Sequence, residues 1–272
     1  MSKPPENTRE ISALVEIVAA LRGENGCPWD KEQTHESLAP FAIEETFELV
    51  EAIEQGSAEG LKEELGDCLF QVVLHSQLAQ EENKFSLSDV IESISQKMVR
   101  RHPHVFSDVK VQDSSEVIKN WQQIKAQEKD ASKKKSSPLE TPKGLPALME
   151  AQKIGHKTKN LGFDWQEASQ VFAKVKEEVS EVEDALHNFS ENSSSENLEA
   201  LSKEIGDALF SLAQLARHLK LDSEKSLRTT NHRFRSRFSE MLTHTNKDLE
   251  QFKNLSPEEK EALWEKAKKI HR

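Results

Sequence analysis

The segment EELGDCLF at residues 63–70 returns as KEIGDALF at residues 203–210, each time with a Glu and an Asp three apart: Glu64 and Asp67, then Glu204 and Asp207. Around these acids, apolar residues recur at spacings of three and four. They are Leu61, Leu65, Leu69 and Val72 in the first copy, and Leu201, Ile205, Leu209, Leu212 and Leu219 in the second. That spacing is the period of an amphipathic α-helix. Residues three apart on a helix share a face, so each copy projects two carboxylates in roughly one direction. On the wheel Glu204 falls at the edge of the apolar stripe, between Leu201 and Ala208, with Asp207 further round the same flank. Glu64 and Asp67 stand in the same way to Leu61 and Cys68.

The repeated octet belongs to a longer duplication. Helical blocks at 41–56, 60–83, 86–103 and 114–129 are matched in the same order by blocks at 171–188, 197–219, 223–241 and 256–272. A period this long means two like domains rather than a solenoid of short repeats. Between them the stretch AQEKDASKKKSSPLETPKGLP at 126–146 is rich in Lys, Ser and Pro and reads as a linker. The expected organisation is a first domain over 1–125, a linker over 126–146 and a second domain over 147–272. No stretch alternates in the manner of a strand, so the expected fold is all-α, two tandem helical domains. The last helix announces itself with SPEE, in which Ser256 caps, Pro257 takes the first helical position and Glu259 completes a capping box. The polar run HNFSENSSSENLEA at 187–200 is expected to be a flexible loop between the two acidic helices of the second half.

Charged residues make up 31% of the chain and the net charge is -11. Such a chain repels a phosphodiester backbone, so a general nucleic-acid binder is not expected. Only two cysteines are present, Cys27 and Cys68, which points to free thiols in a reducing compartment. The start MSKPPENTREIS lacks the apolar core of a signal peptide, and no segment has the roughly 18 apolar residues of a membrane span. The expectation is a cytoplasmic protein with no membrane partner.

The first block of each half adds Glu44, Glu45 and Glu48, and again Glu177, Glu178 and Glu181. A short connection would make the two acidic helices antiparallel neighbours and let four carboxylates converge. Partly buried carboxylates repel one another unless a cation relieves them. Oxygen ligands without clustered Cys or His favour Mg²⁺, or Mn²⁺, over zinc. Di-iron bundles use Glu-x-x-His, whereas the fourth position here is Asp. Cationic pairs four apart accompany the acids: Lys97 with Arg101 and Arg233 with Arg237, then Lys125 beside Trp121 and Lys268 beside Trp264. A carboxylate-held metal, cations and an indole on which a base can stack together describe a nucleotide polyphosphate site. Two plainer readings stay open. The acids are ordinary solvated side chains, or the chain is a helical dimer that docks a protein partner on its acidic surface.

Taken with CPWDKEQTHESL (27–38), EETFE, EELGDCLFQVV, RRHPHVF (100–106), KNLGFDW (159–165), EEVSE and KEIGDALF, the chain resembles the two-domain MazG-family nucleoside triphosphate pyrophosphohydrolases over nearly its whole length. The resemblance implies Mg²⁺-dependent hydrolysis of nucleoside triphosphates to monophosphate and pyrophosphate. It also implies a homodimer whose four-helix bundles are completed across subunits, with the second copy as the catalytic one. Carried over, Glu178, Glu181, Glu204 and Asp207 would be metal ligands. Arg233, Arg237, Trp264 and Lys268 would contact the nucleotide, with Lys174 and Lys203 near enough to touch phosphate. Glu177 is the candidate general base or a ligand of a second metal. Glu45, Glu48, Glu64 and Asp67, with Lys97, Arg101, Trp121 and Lys125, would form a second, weaker or regulatory site.

Overall fold

The structure, a computed structural model, describes residues 4–131, 137–246 and 248–271. The described residues are helices and connections, with no strand among them. The chain divides into two compact units, Met1–Lys134 and Lys135–Arg272. The first holds α1 (Ile11–Arg22), α2 (Pro28–Glu32), α3 (His35–Gln55), α4 (Ala58–Glu81), α5 (Leu87–Arg101), α6 (Pro103–Phe106) and α7 (Ser114–Ala131). The second holds α8 (Ala147–Asn160), α9 (Ala168–Glu191), α10 (Ser195–His218), α11 (Ser223–Thr243), α12 (Leu249–Asn254) and α13 (Pro257–Ile270). Each of the eight expected blocks is a helix. Each unit also opens with a helix, α1 or α8, that lies outside these blocks. The stretch expected to be a linker begins inside α7, and its residues 132–136 lie outside the described residues.

Tight turns pair the acidic helices. α3 ends at Gly56, whose left-handed backbone (φ 68°) suits a residue without a Cβ, and Ser57 then caps α4 by accepting from Gly60 N. The loop expected at 187–200 is a correction: α9 runs on to Glu191 and α10 starts at Ser195. The Ser- and Asn-rich run supplies caps instead of slack. Ser194 accepts from Asn197 N (3.2 Å), and Asn197 Nδ2 donates to Asn192 O (2.8 Å) and Asn188 O (3.2 Å). The capping box at Ser256 and Glu259 forms as the sequence predicts.

In the first unit Val18 of α1, Leu38 of α3 and Val73, Leu74 and Leu78 of α4 form a buried apolar cluster. In the second unit α8 and α9 pack on α10, and α11 pairs with α13. The apolar stripe around the repeated acids is a different surface from this core. Leu65, Leu69 and Val72 are 52%, 39% and 46% exposed, and Ile205, Leu209 and Leu212 are 45%, 50% and 47% exposed. The periodicity marked the helices correctly, but most of the stripe looks outward within one chain.

α8 meets α10 closely at Gly155. A Cβ there would lie 1.8 Å from Gln214 Oε1 and 2.5 Å from Arg217 Nε, both on buried side chains. Gly155→Ala is expected to destabilise the second unit by about 1–3 kcal/mol through overpacking. A urea midpoint equal to that of the parent would show that Gln214 and Arg217 step aside without cost.

Candidate metal and nucleotide site

The two acidic helices bring six carboxylates into two groups. Ligand oxygens of Glu178, Glu181 and Glu204 lie within 4.8 Å of one another, as do those of Glu45, Glu48 and Glu64. Neither Asp67 nor Asp207 belongs to these groups; Asp67 is half-buried and Asp207 exposed on the flank. Three of the four expected ligands in each half therefore converge.

The two groups differ in what offsets their charge. In the second half Glu178 is 5% exposed and is paired with Lys174, whose Nζ sits 2.7 Å from Glu178 Oε1 and 2.8 Å from Glu177 Oε1. These hydrogen bonds, Glu177 first and then Glu178, hold the Lys174 ammonium well above its ordinary range. Lost hydration and then the Glu178 charge push the Glu181 carboxyl up, against a smaller opposing pull from Lys174. Lys203, the other expected phosphate contact, is exposed. In the first half the residue three before Glu44 is Phe41, which offers no charge. Burial raises the Glu45 and Glu64 carboxyls, followed by mutual repulsion that includes Asp67 and Glu48. Glu64 Oε2 is buried with no hydrogen-bond partner. A buried carboxylate oxygen without a donor, among raised acids, is a poor resting place for protein alone and suits a hard divalent cation. The oxygen donor sets of both halves fit Mg²⁺ or Mn²⁺.

The cationic residues form a separate patch in each unit. In the second, Arg237 gives Nε and Nη2 to His271 O (3.0 and 2.8 Å) and lies 5.8 Å from the centre of the Trp264 ring. The Trp264 ring is also packed by Phe234 at 5.1 Å, and Lys268 is paired with Glu265. Arg233 is exposed, with Nη2 3.3 Å from Thr230 Oγ1. α13 has no extensive packing on α9 or α10 among the described residues, so Trp264 and Lys268 are not packed against the acids of their own chain. In the first unit Arg101 (5.4 Å) and Lys125 (4.8 Å) both lie over the Trp121 ring, and Lys97 is half-buried on α5. There Glu128 accepts from Arg101 (2.5 Å to Nη2) and from Arg100 (2.7 Å), and these hydrogen bonds, Arg101 first, hold its carboxyl down at about 2. The first half thus occupies its arginines with a carboxylate, where the second uses a main-chain carbonyl.

Several polar groups lay outside the sequence reading. Asp164 accepts from Arg217 (2.5 Å to Nη2) and faces His218 Nε2 at 3.0 Å, while Gln214 Nε2 donates to Ala151 O (2.7 Å). Hydrogen bonds from Arg217 first, and then from His218, hold the Asp164 carboxyl far below its ordinary range. The motif KNLGFDW contains Asp164, but an Arg more than fifty residues later gives no sign of being its partner. In the first half His35 and His75 face each other through Nδ1 at 2.8 Å, and Gln71 Oε1 is buried without a partner.

The MazG nucleotide pyrophosphohydrolase domain is matched twice, at residues 33–106 and 166–241, which span α3–α6 and α9–α11. Nucleoside triphosphate pyrophosphohydrolase of Escherichia coli K12 is 41% identical over 269 residues, covering 96% of this chain and 97% of that protein. Nucleoside triphosphate pyrophosphohydrolase/pyrophosphatase MazG of Thermotoga maritima is 42% identical over 256 residues, 94% of each. The uncharacterized protein YabN of Bacillus subtilis 168 is 46% identical over 97% of this chain and 52% of its own length. The chain belongs to the MazG nucleotide pyrophosphohydrolase family, with the domain present twice.

Two outcomes follow from the charge arrangement. Lys174→Met leaves Glu178 without its cation, so its Tm in chelator falls below that of the parent and added Mg²⁺ raises it by more than it raises the parent's; equal Mg²⁺ shifts would contradict a shared role for lysine and metal. Glu128→Gln removes a carboxylate whose folded pKa lies below its ordinary 4.5. The parent's stability advantage over this variant is full above pH 4.5 and fades as pH falls towards about 2. Denaturation midpoints measured across that window check the sign.

Proposed function

We propose that the chain cleaves nucleoside triphosphates between the α and β phosphates, releasing the monophosphate and pyrophosphate, with the second half as the principal catalytic copy. One observation carries the reading: Glu178, Glu181 and Glu204 converge beside Lys174 in a chain whose full-length relatives are named nucleoside triphosphate pyrophosphohydrolases. Glu178, Glu181 and Glu204, with Asp207 from the adjoining flank, would hold Mg²⁺, which when bound neutralises phosphate charge and acidifies a water. Lys174 exchanges its carboxylate partners for a phosphate oxygen. Glu177 orients the attacking water and accepts its proton as the oxygen bonds to the α-phosphorus; the bond from that phosphorus to the bridging oxygen breaks, and pyrophosphate leaves with the electron pair. Such chemistry depends on positioning and charge neutralisation more than on covalent help from the protein.

Trp264 and Lys268 sit on α13, which has no extensive packing on α9 or α10 among the described residues, and Arg233 and Arg237 sit on α11, which packs on α13. The outward stripe of Ile205, Leu209 and Leu212 accounts for this if a second copy covers α10 and brings its own cationic helices to the site. We therefore read the protein as a homodimer. Glu45, Glu48, Glu64 and Asp67, with Lys97, Arg101, Trp121 and Lys125, form a second site whose arginine is restrained by Glu128. Two unpaired cysteines fit a cytoplasmic setting, and a net charge of -11 weighs against nucleic acid as a partner. No helix among the described residues is long and apolar enough to cross a membrane.

A panel of nucleoside triphosphates with Mg²⁺, resolving pyrophosphate from orthophosphate, tests the reaction: pyrophosphate is expected, and orthophosphate alone would mean cleavage at the terminal phosphate. Glu178→Gln abolishes turnover while helical content is kept. Glu45→Gln lowers activity by less than Glu178→Gln, and equal losses would reverse the ranking of the halves. Leu209→Glu shifts the sedimenting species from two chains to one and lowers activity with it.

A further inference from the structure

The pair His35 and His75 has no counterpart in the second half. The matching positions there are Ala168, which like His35 opens its helix, and Leu215. His35 starts α3 directly after its cap Thr34, and His75 lies towards the end of α4. The ring centres are 5.1 Å apart with planes within 2° of parallel, and Nδ1 faces Nδ1 at 2.8 Å. A contact this short between two imidazole nitrogens holds one proton, which one Nδ1 donates and the other accepts. A further proton turns the acceptor into a donor, and two N–H groups then point at each other.

We propose that this pair is a pH-sensitive clasp, which closes the start of α3 onto α4 in the first unit and opens when both rings are protonated. Three features favour opening in acid. Both rings are half-buried, and His75 lines a cavity of about 430 Å³ between α3, α4 and α5, which gives water a path to the ring. His35 stands at the N-terminus of a 21-residue helix, where the backbone dipole disfavours a cation. Lost hydration first, and then the His35 charge, push the His75 imidazole down.

Among the described residues the carboxylates near the clasp already have partners. On α3, Glu36 adjoins His35, but its carboxylate is taken first by its own backbone N–H and then by the Thr34 hydroxyl. After α4, Lys84 is paired with Glu82 at 2.6 Å. On α4, Glu81 is taken by Arg22 of α1 at 2.8 Å. Cys68 shares the cavity wall with His75, and its thiol is pushed up by burial first, so it stays neutral. α5 and the turn before it face the cavity with Val90 and Phe85, and Asp89 beside Val90 is bound to Ser86. α1 meets α4 at the apolar cluster through Val18, Leu14 and Val15. A doubly charged pair therefore has no counter-ion waiting, and separation of the helices is its relief. The second half, with Ala168 and Leu215 at this place, has no clasp to open.

Backbone amide exchange followed by mass spectrometry in the full chain, from about pH 8 to about pH 5 and corrected for the intrinsic effect of pH, tests the clasp. The open pair binds one proton more than the closed pair. The opening constant read from peptides over 34–41 is therefore expected to rise roughly tenfold for each pH unit below the ordinary imidazole value of 6.5, until the closed pair is itself protonated. Peptides over 168–175 stay flat. The double variant His35→Ala with His75→Leu gives the first half the residues of the second and loses the rise. In the parent, ring-proton NMR gives His75 a titration midpoint below 6.5, and His35→Ala moves that midpoint upward. Corrected exchange over 34–41 that is the same at both ends of the pH range, a rise that persists in the double variant, or a His75 midpoint unmoved by His35→Ala overturns the assignment. The parent's own exchange and ring titration decide the matter even if the double variant fails to fold.

Discussion

Crowded carboxylates between two tightly joined helices are the constraint on which the rest of this protein turns. A short connection folds α10 back along α9, and another folds α4 back along α3, so acids three and four residues apart on one helix meet acids of the next. Without a cation such groups lose water and repel one another. Burial heads the causes that raise Glu45, Glu64 and Glu181, with neighbouring acids next. The helix pair is thus folded around an electrostatic demand that Lys174 meets in part in the second half and that no side chain at the matching position meets in the first.

The two halves show how a duplicated frame can hold different interiors. Leu74 sits fully buried in the apolar cluster of the first unit, and the matching position of the second is Gln214, equally buried but tied to Ala151 O and Arg217. An apolar core tolerates small shifts because its attractions have no direction. A buried network of Gln214, Arg217, Asp164 and His218 is directional, since each lost hydrogen bond leaves a polar group stranded. It fixes the segment between α8 and α9 that carries Asp164. The same divergence appears at the arginines, where Glu128 confronts Arg101 with a full negative charge and His271 offers Arg237 a carbonyl dipole.

A second consequence of the helix pairing is an apolar stripe that the described residues of the same unit cover only in part. Leu209 and Leu212 flank the acids on α10 and stay about half exposed, while α10's other face is buried against α8. A helix that is apolar on two faces has two surfaces to hide, and one chain supplies a partner for only one of them. Leaving such area in water forgoes on the order of 25 cal/mol for each Å². In the homodimer proposed above, a second copy would cover the outer face and draw the cationic helices α11 and α13 into the chemistry.

The all-α class, the duplication, the eight acid-bearing and cation-bearing blocks and the cap at Ser256 were all legible in the residues, because helical periodicity and capping are local and repeat within a few positions. Glu178, Glu181 and Glu204 could be picked out for the same reason. The extent of α9 and α10 was not legible, since Ser and Asn serve equally in loops and in caps and only the hydrogen bonds of Ser194 and Asn197 choose between them. Nor could spacing reveal that Lys174 bridges Glu177 and Glu178, that Asp207 stands apart from the other acids, or that Asp164 meets Arg217 and His218. Those facts depend on rotamers and on helices brought together from distant parts of the chain. Sequence determined which side chains were available for the chemistry; tertiary packing decided which of them lost their water and met, because burial and distance are properties of the folded chain.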